Sequence, residues 1–162
     1  MLKFVNIIFV TLFAVLSSGC LDKLDTPALE KQSTLLRNAI NINNLSLLAD
    51  ASSIPFIVTK QEWETADDGY GFVLGKKSTL LASNAKELND VLKILEPIKI
   101  EGEEPIKQQF TISDFTEEFN SIDEHWKSLD IIVFLRGQSD VEHIVILGFD
   151  KESLKLRAIY FN

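Results

Sequence analysis

The chain has one cysteine, Cys20, in 162 residues, so no disulfide can form within it and the fold must rest on its core. Basic residues are scarce as well. Sixteen Lys+Arg stand against 24 Asp+Glu, a formal charge of −8. Nucleic acid and acidic headgroups both call for a basic footprint, so this balance argues against a nucleic-acid partner and against close contact with anionic lipid. There are two histidines, His125 and His143, with no HExxH and no CxxC, which argues against a zinc site. No GxSxG elbow occurs. Gly69, Gly71 and Gly75 precede Lys76-Lys77, but the spacing fits neither a P-loop nor a dinucleotide fingerprint, and a Gly-punctuated hairpin accounts for it. Asp67-Asp68-Gly69 lacks the other ligands of a calcium loop. No cofactor is expected, and an enzyme is the least supported class.

Long apolar runs are also missing. The longest, Phe4 to Leu16, falls short of the roughly 20 residues that a spanning helix needs. It follows Lys3 and precedes the small residues Ser17-Ser18-Gly19 and then Cys20. A basic start, an apolar run of about 13 residues and a small-residue exit form the layout of an export signal. Met1 to Cys20 resembles the lipobox signal of bacterial lipoproteins. The resemblance implies cleavage after residue 19 and a diacylglyceryl thioether on Cys20, with the bilayer as a partner through that acylated residue. Two or more acyl chains, the usual lipoprotein complement, give stable anchoring where one does not. Leu21, not Asp, follows the cysteine, which in a cell with two membranes favours the outer membrane facing the periplasm.

Loss of residues 1–19 removes one charged residue, Lys3, so the formal charge passes from −8 to −9. About 140 residues remain, enough for one domain with its own core. Residues 20–26 form a short tether, and residues 27–162 form a single globular domain. Thr26-Pro27 starts a helix to about Asn41, with Thr as cap and Pro in the first turn. The stretch from Asn41 to Ser53 fits a second short helix or a loop. Ile54 to Trp63 reads as a strand. Tyr70 to Leu74 and Thr79 to Ala82 read as a hairpin around Gly75-Lys76-Lys77-Ser78. Ser83 or Asn84 caps a helix to about Glu96, with Leu88, Val91, Leu92 and Leu95 on one stripe.

Ile98 to Ile100 and Ile106 to Ile112 read as strands. Asp114 to about Leu129 reads as a helix, since Phe115, Phe119, Ile122, Trp126 and Leu129 fall within about 80° of arc. The remainder reads as a three-stranded meander: Ile131 to Arg136, Val141 to Phe149 and Leu154 to Phe161. Short turns join neighbouring strands, which predicts an α+β domain, a mostly antiparallel sheet with about three helices packed on one face. The runs Ile131–Leu135 and Ile144–Leu147 are apolar on both faces and predict central strands.

Two surfaces emerge. The acidic set Glu101, Glu103, Glu104, Asp114, Glu117, Glu118, Asp123 and Glu124 is a candidate docking face for a basic partner, its plainer reading being solvated turn and helix surface. A meander with four-residue turns places His143 between Phe134 and Tyr160, and with Trp126 these outline a candidate ligand pocket. The plainer reading of His143 is an edge residue bonded to backbone. His125 lies at the margin of the predicted helix stripe. Arg136 and Arg157 sit in apolar strands, where each can bind an anion or bond to backbone carbonyls. The leading reading is a membrane-anchored, non-catalytic envelope lipoprotein that binds another protein, in concrete form an immunity or inhibitor protein against a cationic toxin or hydrolase. The alternatives are an envelope assembly or structural lipoprotein and a small-molecule or lipid carrier.

Overall fold

The computed structural model describes residues 26–65, 69, 72–102, 124–136 and 143–162. The export-signal segment with Cys20, the tether before Thr26, strand Ile106 to Ile112 and the predicted helix from Asp114 up to residue 123 lie outside these residues.

Helix α1, Thr26–Asn41, buries Leu29, Ser33, Leu36 and Ile40, which recur at the helical period. Helix α2, Leu45–Ala51, resolves the ambiguous stretch: Asn44 Oδ1 accepts the Leu47 N–H, so an asparagine caps a helix of two turns. Helix α3, Ala85–Leu92, carries a reciprocal cap. Asn84 Oδ1 accepts from the Glu87 N–H, and a Glu87 carboxylate oxygen accepts from the Ser83 N–H. A 3-10 turn, Lys93–Leu95, continues it toward Pro97.

Among the described residues five strands form one mixed sheet: β1 Ser52–Thr65, β2 Phe72–Ala82, β3 Leu129–Leu135, β4 Ile144–Asp150 and β5 Leu156–Phe161. Their order is β2-β1-β5-β4-β3, with β1 and β5 parallel and every other pair antiparallel. The domain is therefore α+β with a mostly antiparallel sheet, and its last three strands are the expected meander. Alternation splits the sheet into two faces. Phe56, Val58, Phe134, Val145, Leu147 and Phe149 join the helices in the larger core. Ile57, Val133, Ile146, Ala158 and Tyr160 form a second cluster, with Trp126 and Leu129 over them.

Several expected elements differ. Gly75 to Ser78 is not a turn, because β2 runs straight through it. Gln61 pairs with Lys77 and Trp63 with Leu74, so β2 carries one residue more than β1 here. Gly75 sits in that bulge, its carbonyl accepting from Gln61 Nε2 at 2.7 Å. A glycine within a strand marks a bulge as readily as a turn, and the β-rich residues on both sides decide for the strand. Residues 98–100 make no ladder. Asn41 instead bonds both backbone groups of Ile100, at 2.7 and 2.9 Å, and so ties this segment to the end of α1. The predicted helix does not reach Leu129: Glu124–Ser128 is a 3-10 turn and Leu129 opens β3. The β-branched run after Leu129 takes it into the sheet. β4 is an interior strand as expected. β3 is covered on both faces yet stands last in the order among the described residues.

Candidate functional site

Arg157 occupies the most irregular point of the sheet. β4 pairs Gly148 with Ala158 and then Phe149 with Leu156, leaving Arg157 as an extra residue. On the other side β1 pairs Ile57 with Ala158 and Ser52 with Leu156, so residues 53–56 stand opposite Arg157 alone. A bulge re-aims the side chain it carries and bends its strand. Here it also moves Leu156 onto the helix-side face with Ile159 and Phe161, whereas simple alternation groups Leu156 with Ala158 and Tyr160. Pro55 has no N–H to offer a ladder. The Arg157 side chain satisfies the Pro55 carbonyl instead, its Nε donating to that oxygen at 3.1 Å while its Nη1 donates to Asp150 Oδ2 at 3.4 Å. The Ser153 backbone N–H and hydroxyl, bonded to Asp150 Oδ1, hold the Asp150 carboxyl below its ordinary pKa, and Arg157 adds a smaller pull in the same direction.

Beside Arg157 lies a shallow cleft, open to solvent and with room for little more than a water molecule. Pro55, Ile57, Leu129 and Ala158 make it apolar, and His125 and Arg157 give it polar walls. Its residues come from β1, the 3-10 turn, β3 and β5, so it exists only in the folded chain. It offers one imidazole and one engaged guanidinium. That set can meet a small group by contact and hydrogen bonding, and among the described residues its lining contains no hydroxyl or thiol. No cluster of three or more His, Cys, Asp or Glu among the described residues is arranged to hold a metal ion.

A second polar cluster closes the far end of the meander. Arg136 Nη1 donates to the Asn162 carbonyl at 2.6 Å, and His143 Nδ1 lies 3.2 Å from the same oxygen. The guanidinium carbon stands 5.9 Å from the centre of the Phe161 ring, within cation–π range. Burial pushes the Arg136 pKa below its ordinary value. Both arginines singled out in the sequence thus donate to backbone carbonyls.

The expected ligand pocket is not assembled. Leu135 pairs with Ile144, and Val145 with Phe161, so His143 lies beyond the β4 ladder with its carbonyl accepting the Arg136 N–H. The residue facing Tyr160 is Ile146, and the one facing Phe134 is Val145. Phe134 belongs to the helix-side core, whereas Trp126 and Tyr160 belong to the opposite face. The shift follows from a longer β3–β4 connection than the four-residue turn expected, together with the bulge at Arg157. A register change of odd number exchanges the two faces.

Of the acidic set, Glu101 is exposed, and its backbone N–H donates to the Arg136 carbonyl at 3.3 Å. Glu124 opens the 3-10 turn before β3. Glu103, Glu104, Asp114, Glu117, Glu118 and Asp123 lie outside the described residues. Two residues not singled out in the sequence carry long-range polar structure, Asn41 and Asn162. The signal for each was an amide at the end of an apolar element, where backbone groups run out of ladder or helix partners. No family model, no curated protein and no solved structure matches this chain.

Proposed function

We propose that the chain is a lipid-anchored, non-catalytic envelope protein that binds another protein, in concrete form an immunity or inhibitor protein acting on a cationic toxin or cell-wall hydrolase. The observation that carries the reading is the N-terminal segment ending at Cys20, joined through a short tether to a domain of formal charge −9 once residues 1–19 are removed from a chain of −8. The sheet is compatible with this reading, since the chain's own side chains form a buried cluster on each of its faces. A strongly acidic exterior speeds encounter with a basic partner and narrows the choice of partner.

The test begins with the full chain expressed with its signal. Mass spectrometry of the membrane fraction then reads the acyl chains on Cys20. The solubilised protein is next used to capture partners from envelope and secreted proteins at low and high salt. The expected result is one stoichiometric basic protein, lost when Glu103, Glu104, Glu117 and Glu118 are reversed to Lys. Unchanged capture by that variant would sink the acidic-face mechanism. A second reading is an assembly or structural role, favoured by the exposed Leu80 and Leu81 on the outer strand β2. Salt-insensitive association, blocked by Leu81→Lys, would select it.

A further inference from the structure

Six large apolar side chains stand exposed among the described residues, and two of them line up along α1 and the residue that follows it: Leu35 at 46% and Ile42 at 72%. Leu80 and Leu81 are neighbours on a strand and so point to opposite faces. Ile54 and Leu135 stand singly on other strands. Leu35 and Ile42 are seven residues apart. With Lys31 and Asn38, both exposed, they form a stripe along α1 at offsets of four, seven and eleven. Ile42 lies just past the end of α1, but its N–H still bonds to the Asn38 carbonyl at 3.1 Å, so it keeps the helical position. The buried stripe Leu29, Ser33, Leu36 and Ile40 is offset by two residues, about 200° around the axis, so the exposed stripe points directly away from the core.

We infer that this outer stripe of α1 lies along the surface of the bilayer that holds Cys20, an inference that rests on the anchoring reading above. The chain between Cys20 and Thr26 spans at most about 20 Å when extended. The start of α1 therefore stays within about 20 Å of the lipidated residue. The helix is about 24 Å long. Upright on its tether, it would hold Ile42 in water. Lying flat, it brings Leu35 and Ile42 to the boundary between headgroups and acyl chains. Two apolar side chains would not hold a free helix on a membrane. The anchor, however, makes the second contact intramolecular, with an effective concentration in the millimolar range.

The acidic balance of the whole chain opposes anionic lipid, so the contact depends on the local charge of the stripe. The stripe carries no carboxylate, and Lys31 can extend its ammonium to a phosphate while its stem stays in the interface. The negative charge of the rest of the domain is screened beyond roughly 8 Å at physiological ionic strength. This pose turns the opposite sheet face, that of Trp126 and Tyr160, away from the membrane and toward arriving partners.

The experiment uses the acylated full chain. Because lipid occupies the Cys20 thiol, single Leu35→Cys, Ile42→Cys and Leu81→Cys variants can each take an environment-sensitive fluorophore. Each is reconstituted in vesicles of phosphatidylethanolamine and phosphatidylglycerol with brominated acyl chains. Quenching at positions 35 and 42 at least about twofold above position 81, with a blue shift, is the expected result for an interfacial helix. An Asn38→Cys probe should lose that excess when Leu35 and Ile42 are both changed to Gln. A chain that is acylated and membrane-bound, yet no better quenched at 35 and 42 than at 81, overturns the inference and leaves the anchoring reading intact. A blue shift without bromine quenching also overturns it and assigns the stripe to a second copy. A chain without acyl mass on Cys20 overturns the anchoring reading and this inference with it.

Discussion

Asn162 Oδ1 accepts the Ile144 N–H at 2.7 Å, while the Asn162 N–H donates to the Ile144 carbonyl at 3.3 Å. One residue thus closes the last rung between β4 and β5 with its side chain and its backbone together. Asn162 is buried, so water cannot replace its side chain without local opening. Asn162→Ala leaves the Ile144 N–H without that acceptor, and the expected loss is about 1–3 kcal/mol of unfolding free energy. Denaturant titration reads the loss, and hydrogen exchange at Ile144 should rise more than at Leu147. Equal protection at both amides would show that the rung forms without the Asn162 side chain.

Two glycines separate two consequences of the same substitution. A Cβ on Gly148 would lie 2.8 Å from Leu129 Cδ1 and 2.8 Å from Trp126 Cζ3, and Trp126 is buried and rigid. Gly148→Ala is expected to cost about 1–3 kcal/mol, the usual range for an overfilled core. In a Trp63→Phe background its fluorescence should report a displaced Trp126. A Cβ on Gly75 would overlap the Glu64 side chain from Cγ outward and displace the carboxylate that accepts the Lys76 N–H at 3.0 Å, although both groups are exposed. Gly75→Ala should then cost about 0.5–1.5 kcal/mol, the net worth of the one exposed hydrogen bond it displaces. A reversed order of the two would contradict the packing at β4.

Asn41 joins elements distant in sequence. Its Oδ1 accepts the Ile100 N–H, its Nδ2 donates to the Ile100 carbonyl, and its own carbonyl accepts from Lys99 Nζ. Asn41→Ala should cost about 1–3 kcal/mol, since both groups of a buried backbone position lose partners. Asn41→Asp keeps the acceptor and should retain protection of the Ile100 amide under hydrogen exchange while still losing stability. Were Asn41→Ala to leave that amide protected, Ile98 and Ile100 would be held by apolar packing alone.

Local signals in the sequence were strong where one residue determines an element. The helix expected at Thr26-Pro27 began at Thr26, and Asn84 capped α3, where a short polar side chain satisfies a helix N–H group on the spot. The last three strands were legible from β-branched runs. Their register was not. Every residue from Ile144 to Phe149 is buried, so apolar alternation cannot say which faces which core. The bulge at Arg157 and the length of the β3–β4 connection set it instead. The cleft at Arg157 was invisible for the same reason, since it depends on residues 53–56 standing opposite a single residue of β5.

Two carboxyls predict opposite responses to pH. The Asp150 carboxyl is held below the ordinary value of 3.8, first by the Ser153 backbone N–H, then by the Ser153 hydroxyl. A lowered carboxyl favours the folded state above its unfolded pKa, and that contribution is lost as pH falls through the folded value. Stability should thus decline from about pH 4 downward, and Asp150→Asn should flatten this acid limb. The Asp130 carboxyl is raised above 3.8, chiefly by burial, with Lys151 opposing. Its charged form is disfavoured by folding, so it costs stability once pH exceeds the unfolded value. Asp130→Asn should therefore be neutral to stabilising at pH 7, with the gain vanishing toward pH 3. Denaturation midpoints of both variants and the parent between pH 2.5 and 7 decide the matter. If Asp130→Asn destabilises at pH 7, a favourable contact to that carboxylate outweighs its desolvation.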